Sequence, residues 1–152
     1  MLGVLGVPGL IFAMLIGFTV IGDESGNQCM APGTGSLTID PDSVPEGPIE
    51  GYRGEQLVNA AYIIEAGRAL GLGSRDQTIG VMTAMGESSL RILDYGDDVG
   101  PDSRGLFQQR DNGAWGTYED RMDPFISSTN FFKALMKLEE RGELEPTIAA
   151  HR

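Results

Sequence analysis

Glu87 is the residue of this chain whose type and setting most suggest chemistry, because it lies in residues 83–90 (TAMGESSL), at the end of the most apolar stretch outside the N-terminal segment. A carboxyl group at the end of a hydrophobic helix is poorly hydrated in its charged form, so its pKa is expected to rise toward neutrality. Such a group can hold a proton and give it to a leaving oxygen. The simpler interpretation is a helix that has reached its polar end, where an exposed Glu is common.

A second motif, Gly105-Leu106-Phe107-Gln108, begins eighteen residues after Glu87. Glu87-Ser88 followed by this segment resembles the lytic transglycosylase and goose-type lysozyme group of peptidoglycan-cleaving enzymes. Further short strings extend the resemblance to most of residues 56–152, namely Leu93-Asp94-Tyr95-Gly96-Asp97, Asp102-Ser103, Trp115-Gly116 and Met122-Asp123-Pro124. Together they are similar to a lysozyme-like domain of bacterial wall hydrolases. That domain often follows a membrane segment and precedes a papain-like cysteine endopeptidase domain.

The resemblance implies a role for several side chains in these motifs. It makes Glu87 the catalytic acid and Gln108 a ligand of N-acetyl groups or ring hydroxyls, for which an amide supplies both a donor and an acceptor. Ser88 would contact the saccharide or the surroundings of Glu87, or would only end the helix. Tyr95 and Trp115 are candidates for stacking on sugar faces, although the single Trp of a small domain is often a core residue.

Glycoside hydrolysis normally needs a second group besides the acid. The candidate second carboxylates are Asp94, Asp97, Asp98 and Asp102, and their spacing selects none of them. Each is also typical of a turn in a Gly-rich loop. A lytic transglycosylase needs no second carboxylate, because the C6 hydroxyl of the substrate attacks the anomeric carbon, whereas a goose-type hydrolase keeps an Asp to position water. Both mechanisms stay open at this point.

The charge of the chain limits its partners. Its 152 residues carry a net charge of −11, and such an acidic chain lacks the basic surface that nucleic acid phosphates require. Nucleic acid is therefore not an expected partner, and peptidoglycan glycan strands would be held by hydrogen bonds and stacking instead of by overall charge. With Cys29 and His151 as the only Cys and His, neither an internal disulfide nor a zinc site is expected, and no cofactor is implied.

Residues 1–22 contain no charged side chain and are long enough to cross a hydrocarbon core of about 30 Å as a helix. A signal peptide is the alternative, but no Lys or Arg precedes Arg53 and no small-x-small cleavage site precedes Asp23. We therefore expect a transmembrane anchor, a disordered Gly- and Pro-rich tether over residues 23–52 and a lysozyme-like domain over residues 53–152. The resemblance, and not the charge distribution, implies that this domain faces the cell exterior.

Apolar spacing predicts two consecutive helices in the first half of the domain. A stripe over residues 57–70 predicts the first helix, which Gly71 stops, and Ser74 followed by Gln77 predicts a capping box that opens the second. We expect the second helix to be buried on nearly every side as far as Glu87. Its apolar residues are Ile79, Val81, Met82, Ala84 and Met85.

The second half of the domain combines loops with two further helices. Residues 94–117 are rich in Gly and Asp and predict loops with short strands. Asp123-Pro124 predicts a helix with an N-cap and a Pro at its first position. Another helix starts near Glu145-Pro146 and reaches only two turns before Arg152, so we expect the domain to continue beyond that residue.

The predicted fold is mainly α, of the α+β lysozyme-like kind, in which a helical lobe faces a loop-rich or small β wall and an N-terminal transmembrane helix precedes the lobe. The predicted function is a membrane-tethered enzyme that cleaves the β-1,4 bond between N-acetylmuramic acid and N-acetylglucosamine, with Glu87 as acid and base. The alternative is a non-catalytic lysozyme-like module that binds wall glycan as a structural part of a secretion or conjugation apparatus. An EF-hand is excluded because residues 94–102 lack its alternating acidic positions, and no His accompanies Ser88 as in a nucleophile elbow.

Overall fold

The computed structural model describes residues 35–150, and this part of the chain is built mainly from helices. A short 3-10 helix precedes five α-helices in it: Pro41–Ser43, then α1 (Glu55–Ala69), α2 (Ser74–Ser88), α3 (Tyr118–Met122), α4 (Pro124–Leu135) and α5 (Pro146–Ala150). The expectation of a mainly α fold is confirmed. None of these helices has the length and apolar content needed to span a bilayer, and the transmembrane helix expected over residues 1–22 lies outside the described residues.

The segment between α2 and α3, residues 89–117, forms an irregular wall beside the helices. It contains no strand in the described structure, and its β character is limited to an isolated antiparallel bridge between Arg104 and Gln109. Of the two forms expected for this wall, the loop-rich one is therefore observed. The many Gly and Asp residues of the segment favour turns over the regular pairing that a sheet requires.

Phe132 of α4 lies at the centre of the core. Its side chain is fully buried and fills a hollow that α1 leaves open at Gly67 and α2 leaves open at Gly80. An added Cβ would lie 3.3 Å from the Phe132 ring at Gly67 and 2.5 Å from it at Gly80. Both positions therefore need a residue without a side chain. The fully buried Ile63 and Ile79 belong to the same cluster, which joins three helices through close packing.

Gln77 departs from the expected helix start. α2 begins after Gly73 without any side-chain capping hydrogen bond, so the predicted Ser74–Gln77 capping box is wrong. The amide of Gln77 is instead fully buried, where its oxygen accepts from the Leu37 N–H at 2.7 Å and its nitrogen donates to the Ile64 carbonyl at 2.9 Å. A buried amide needs such partners, and α1 and the segment before it supply them.

The described part of the expected tether, residues 35–52, lies on α1 and α2. The Gly35 carbonyl accepts from the Ser74 N–H at 2.7 Å. Apolar side chains of the segment also line one side of a groove of about 290 Å³ against the two helices, namely Ile39, Val44, Ile49 and Tyr52. Contacts with the helical domain therefore begin upstream of the expected boundary at residue 53. The rest of the expected tether, residues 23–34, lies outside the described residues.

Helix α2 is not buried on every side, which corrects the expectation from its composition. Ile79 and Ala84 are fully buried, whereas Met82 is 37% exposed and Gly86 is exposed as well. α5 packs beside α2 and contributes the buried side chain of Ala149 to the core. One face of α2 therefore belongs to the core, and the opposite face borders open space at its C-terminal end.

The two helices before and after Asp123 begin with side-chain caps. The predicted N-cap Asp123 is confirmed, because its carboxylate accepts from the N–H groups of Phe125 and Ile126 at 2.9 and 2.7 Å. α3 was not predicted, although Thr117 and Asp120 form a reciprocal capping box at its start. A helix of five residues is too short to show a periodic apolar pattern.

Replacement of Gly80 by Ala is expected to lower the free energy of unfolding by about 1–3 kcal/mol, because the new methyl group overlaps the Phe132 ring. Gly86→Ala is the matched control in the same helix, since a Cβ there meets no atom within 4 Å. Because alanine has a higher helix propensity than glycine, Gly86→Ala should stabilise the protein by about 0.5–1 kcal/mol. Urea denaturation of both variants measures the two effects. Equal shifts for both would contradict the packing of Phe132 into this hollow.

Candidate active site

Helix α2 ends abruptly just beyond Glu87. Ser89 and Leu90 both adopt the left-handed backbone conformation, with φ angles of 53° and 62°, and their N–H groups donate to the carbonyls of Met85 and Ala84. This conformation is unfavourable for residues other than glycine, above all for a bulky one such as Leu. The side chain of Leu90 is buried and holds the reversal in place. Glu87 therefore projects from the last turn of the helix, where the chain turns away from it.

Ser88 connects this helix end to the second motif. Its buried hydroxyl lies 2.8 Å from the Leu106 carbonyl oxygen and 3.0 Å from the Ala84 carbonyl oxygen, and it accepts a hydrogen bond from the Arg91 N–H. Ser88 is not among the residues that line the cavities beside Glu87. Its buried position and these hydrogen bonds indicate that it holds the two motifs together.

The turn that carries Gln108 has little freedom to move. Gly105 has a φ angle of 74°, and a Cβ at this position would lie 1.9 Å from the Arg121 carbonyl oxygen, so only glycine fits. Phe107 is buried, and its ring stacks on Phe131 of α4 with centroids 4.6 Å apart. Gln108 follows with a φ angle of 45°, another left-handed conformation in a residue other than glycine. The core thus fixes the residues on either side of the turn.

Glu87 stands at the junction of two cavities of similar size. The first, the Trp115 cavity, has a volume of about 470 Å³ and is lined by Glu87, Gln108, Trp115 and apolar residues of α4 and α5. The second, the Tyr95 cavity, has a volume of about 480 Å³ and is lined by Glu87, Gln108, Tyr95 and residues of the loop wall. We call the two cavities together the cleft. The carboxyl and the amide predicted to act on substrate are therefore shared by both halves of the cleft.

The side chain of Glu87 is exposed to solvent, so the poorly hydrated setting expected from the sequence is not observed. The last turn of α2 has left the core at this point, and its neighbours Gly86 and Met82 are exposed too. These three residues border a further cavity of about 230 Å³, which reaches Thr147 and Ala150 at α5. Water therefore has access to the carboxyl group from more than one side.

The two predicted aromatic residues line opposite halves of the cleft. Tyr95 is 65% exposed in its cavity, and Trp115 is half-buried in the other. Trp115 is not part of the hydrophobic core, so its alternative role as a core residue is not supported. The Trp115 carbonyl accepts from the Asn130 side-chain amide of α4 at 3.1 Å, which ties this part of the wall to the helical lobe. Gln109, the neighbour of Gln108, is almost fully buried.

Asp94 and Asp98 do not line the cleft. The Asp94 carboxylate accepts from the Tyr118 hydroxyl at 2.6 Å and lies 3.1 Å from Nε of Arg104. Its hydrogen bond with Tyr118 raises the pKa of that phenol. Asp98 is exposed. Asp94 therefore serves contacts within the wall, and neither residue is positioned by the described structure to assist Glu87.

Asp102 is also engaged in the wall. Its carboxylate accepts from the Asp111 N–H at 2.8 Å and from Nε of Arg110 at 2.6 Å. The bond from the backbone N–H of Asp111, followed by the contact with Arg110, lowers the pKa of Asp102. The carboxylate consequently stays ionised to a lower pH than an ordinary Asp and keeps its hold on Arg110.

Asp97 differs from the other three candidate carboxylates because it lines the Tyr95 cavity together with Glu87. Its Oδ1 accepts from the N–H groups of Val99 and Gly100 at 3.0 and 2.6 Å. These bonds form the turn expected of an Asp in this loop and orient the carboxylate. Of the four acids that sequence spacing left equivalent, Asp97 is the one that lines the cleft.

Arg110 is a cleft residue that the sequence motifs did not single out. It lines the Trp115 cavity, two positions beyond Gln108. Its charge was visible in the sequence, but its place in the cleft depends on the turn that follows Gly105. No group of three or more His, Cys, Asp or Glu side chains that could hold a metal ion is found within residues 35–150.

Comparison of the chain with protein-family models, with curated proteins and with solved structures finds no match. The support for a function therefore comes from two sources. One is the resemblance carried by the short motifs, and the other is the geometry of the cleft in which those motifs meet.

Ser88→Ala is expected to lower the free energy of unfolding by about 1–3 kcal/mol, because it removes the hydroxyl that partners the Leu106 carbonyl. Ser89→Ala is the matched control, since Ser89 is exposed, and we expect it to change stability by less than about 0.5 kcal/mol. Urea denaturation compares the two variants. If Ser88→Ala is as stable as the wild type but binds glycan more weakly, the substrate contact expected from the resemblance would be supported instead.

Proposed function

We propose that this protein is a peptidoglycan lytic enzyme that cleaves the β-1,4 bond between N-acetylmuramic acid and N-acetylglucosamine, and that its domain has a lysozyme-like fold. The observation that carries the proposal is the position of Glu87 at the junction of the two cavities. A group that protonates a glycosidic oxygen must stand between the sugars on either side of that oxygen. The two halves of the cleft supply space on both sides of Glu87.

In the proposed reaction, Glu87 donates its proton to the bridging oxygen as the bond to the anomeric carbon breaks, and an oxocarbenium-like centre develops on the sugar. The glycan that fills the cleft displaces the water that now surrounds the exposed carboxyl, which strengthens electrostatic interactions there. Glu87 is left as a carboxylate and acts next as a base. It removes a proton either from the C6 hydroxyl of the same sugar or from a water molecule.

Substrate binding is assigned to the residues that line the cleft beside Glu87. Gln108 offers an amide donor and acceptor at the junction, where it can contact an N-acetyl group on either side. Tyr95 and Trp115 supply aromatic surface in separate cavities, which suits stacking on successive sugar rings. Hydrogen bonds and ring stacking of this kind hold a sugar chain without overall charge attraction to the acidic protein.

The backbone conformation around the cleft also supports a functional role. Of the five non-glycine residues with positive φ angles in the described structure, three lie in this region: Ser89 and Leu90 follow Glu87 closely, and Gln108 belongs to the second motif. Such conformations cost free energy of about 1–3 kcal/mol each and persist where the surrounding structure holds them. Their concentration where the two motifs meet favours a site whose geometry matters more than its stability.

A glycan-binding module without catalytic activity is the second candidate function. The exposure of Glu87 favours it, because a general acid is usually better shielded from water. Such a module would serve as a structural part of a secretion or conjugation apparatus. The two candidates share the cleft and differ only in what happens to the bound glycan, so a test of cleavage separates them.

We further propose that residues 1–22 hold the enzyme at the cell membrane and that the catalytic domain faces the exterior, where peptidoglycan lies. The support is the length of this segment and its lack of charged side chains. Salt-resistant association of the full chain with membranes, lost on removal of residues 1–22, is the result that this localisation requires. Release into the medium with a new N-terminus after Gly22 would indicate a cleaved signal peptide.

Glu87→Gln is expected to abolish clearing of a peptidoglycan suspension, a loss of at least about a hundredfold in rate, because the amide keeps the shape of the side chain but cannot transfer a proton to the leaving oxygen. Its stability should match that of the wild type, since Glu87 is exposed. Glu119→Gln is a matched control, because it removes one exposed acid of α3 outside the cleft. Retention of most of the clearing rate by Glu87→Gln would exclude the assigned role. Binding without clearing by the wild type would favour the second candidate function.

The products identify the group that attacks the anomeric carbon. Attack by the C6 hydroxyl gives anhydro-muramyl ends, which we expect, and attack by water gives reducing ends that are heavier by one water molecule. Mass spectrometry of the digested glycan separates the two. With anhydro ends, Asp97→Asn should change the rate only slightly, whereas reducing ends combined with a large loss in Asp97→Asn would identify Asp97 as the residue that positions water.

A further inference from the structure

Among the described residues that line the cleft and the smaller cavity beside Glu87, only Arg110 has a basic side chain. It belongs to the Trp115 cavity, where Gln108 and Trp115 are its neighbours along the wall. Its side chain is 49% exposed, so it is accessible to a ligand although its Nε is paired with Asp102 and one terminal nitrogen lies beside Gly100. A cation at this place is notable in a chain whose net charge is −11.

The orientation of Arg110 is set before any ligand binds. Asp102 accepts from its Nε, and the other oxygen of the same carboxylate accepts from the Asp111 N–H. The side-chain stem lies beside Gly100, where an added Cβ would be 3.3 Å from Cδ of Arg110. A side chain held in this way loses less conformational entropy when it binds a ligand.

The contact with Asp102 leaves most of the donors of Arg110 for a ligand. It uses the Nε–H, and a guanidinium carries four further N–H groups on its two terminal nitrogens. Their planar arrangement matches the two oxygens of a carboxylate. Asp102 already balances the charge of Arg110, so an incoming carboxylate is bound through these remaining N–H donors.

We propose that Arg110 binds a carboxylate carried on the lactyl side chain of the muramyl residue and thereby makes the cleft selective for muramyl glycans over uncharged polymers of N-acetylglucosamine. The carboxylate belongs either to the lactyl group itself or to the peptide attached to it. This inference rests on the proposed function, since it names the substrate class of the same cleft. Asp102 acts as the positioning residue for Arg110.

A binding experiment tests this selectivity without requiring cleavage. Trp115 is the only Trp of the chain, so its fluorescence reports occupancy of its own cavity. The titrations compare Glu87→Gln with Glu87→Gln/Arg110→Gln and Glu87→Gln/Arg110→Lys. Three glycans of equal length are the ligands: muramyl glycan with its peptides, muramyl glycan stripped of peptides by an amidase, and a chitooligosaccharide.

Arg110→Gln is expected to raise the Kd for a muramyl glycan about tenfold or more, because a hydrogen-bonded ion pair with the ligand is lost. The Kd for the chitooligosaccharide should change less than about twofold, which also shows that the variant is folded. Arg110→Lys should give an intermediate loss, since it keeps the charge but not the two-pronged geometry. A loss for the stripped glycan places the carboxylate on the lactyl group, and a loss only for the intact glycan places it on the peptide.

Arg68→Gln is the matched control in the Glu87→Gln background. Arg68 is 46% exposed and paired with Glu65, much as Arg110 is paired with Asp102, but it does not line the cleft. Its replacement should leave all three Kd values unchanged. If muramyl glycan binding depends on Arg110 but the wild-type protein does not cleave the glycan, the proposed catalysis is wrong and this inference still holds. If the Arg110 variants bind all three glycans equally weakly, or bind none of them more weakly, the inference is wrong. Clearing of peptidoglycan by the wild type would in that case still support the proposed catalysis.

Discussion

The hydrogen bond between the Ser88 hydroxyl and the Leu106 carbonyl is the interaction on which the cleft depends. It joins the end of α2, which carries Glu87, to the turn that carries Gln108. Residues 89–104 separate these segments along the chain, so their alignment has to come from a contact. Because the hydroxyl is buried and the bond is directional, a shift of either segment would leave polar atoms without partners.

The aromatic core extends this constraint to the rest of the domain. Phe132 fills the hollow between α1 and α2, and its neighbour Phe131 stacks on Phe107 of the turn. The position of the turn is therefore coupled to the packing of α4 against the first two helices. Close-packed rings cannot move without opening voids, which cost contacts on all sides. A rigid helical lobe thus supports one side of the cleft, although the wall itself contains no strand in the described structure.

Two acids of the wall, Asp94 and Asp102, hold its shape, whereas Asp97 lines the cleft. Asp94 and Asp102 bind Arg104 and Arg110, and both arginines lie between loop segments that lack a regular backbone ladder. Exposed ion pairs of this kind add little stability singly, but they fix the directions of the side chains that take part. The Asp97 carboxylate accepts a hydrogen bond from the Gly100 N–H within its turn, and the residue lines the cleft. The same residue type in one loop therefore forms structural contacts at some positions and lines the cleft at another.

Local patterns in the sequence determined the helices of the lobe, because helix periodicity and caps such as Asp123 involve residues a few positions apart. The same patterns predicted Glu87 and the motif that follows it as parts of a site, and the structure places Glu87 and Gln108 along the same two cavities. Tertiary structure decided what local patterns do not contain. It paired the buried amide of Gln77 with residues of distant segments, decided between a poorly hydrated and an exposed Glu87 in favour of the exposed one, and gave Ser88 a carbonyl partner. It also placed Asp97, alone among four similar acids, along the cleft. Burial and hydrogen-bond partners depend on which remote segments meet, and that is settled only when the whole domain packs.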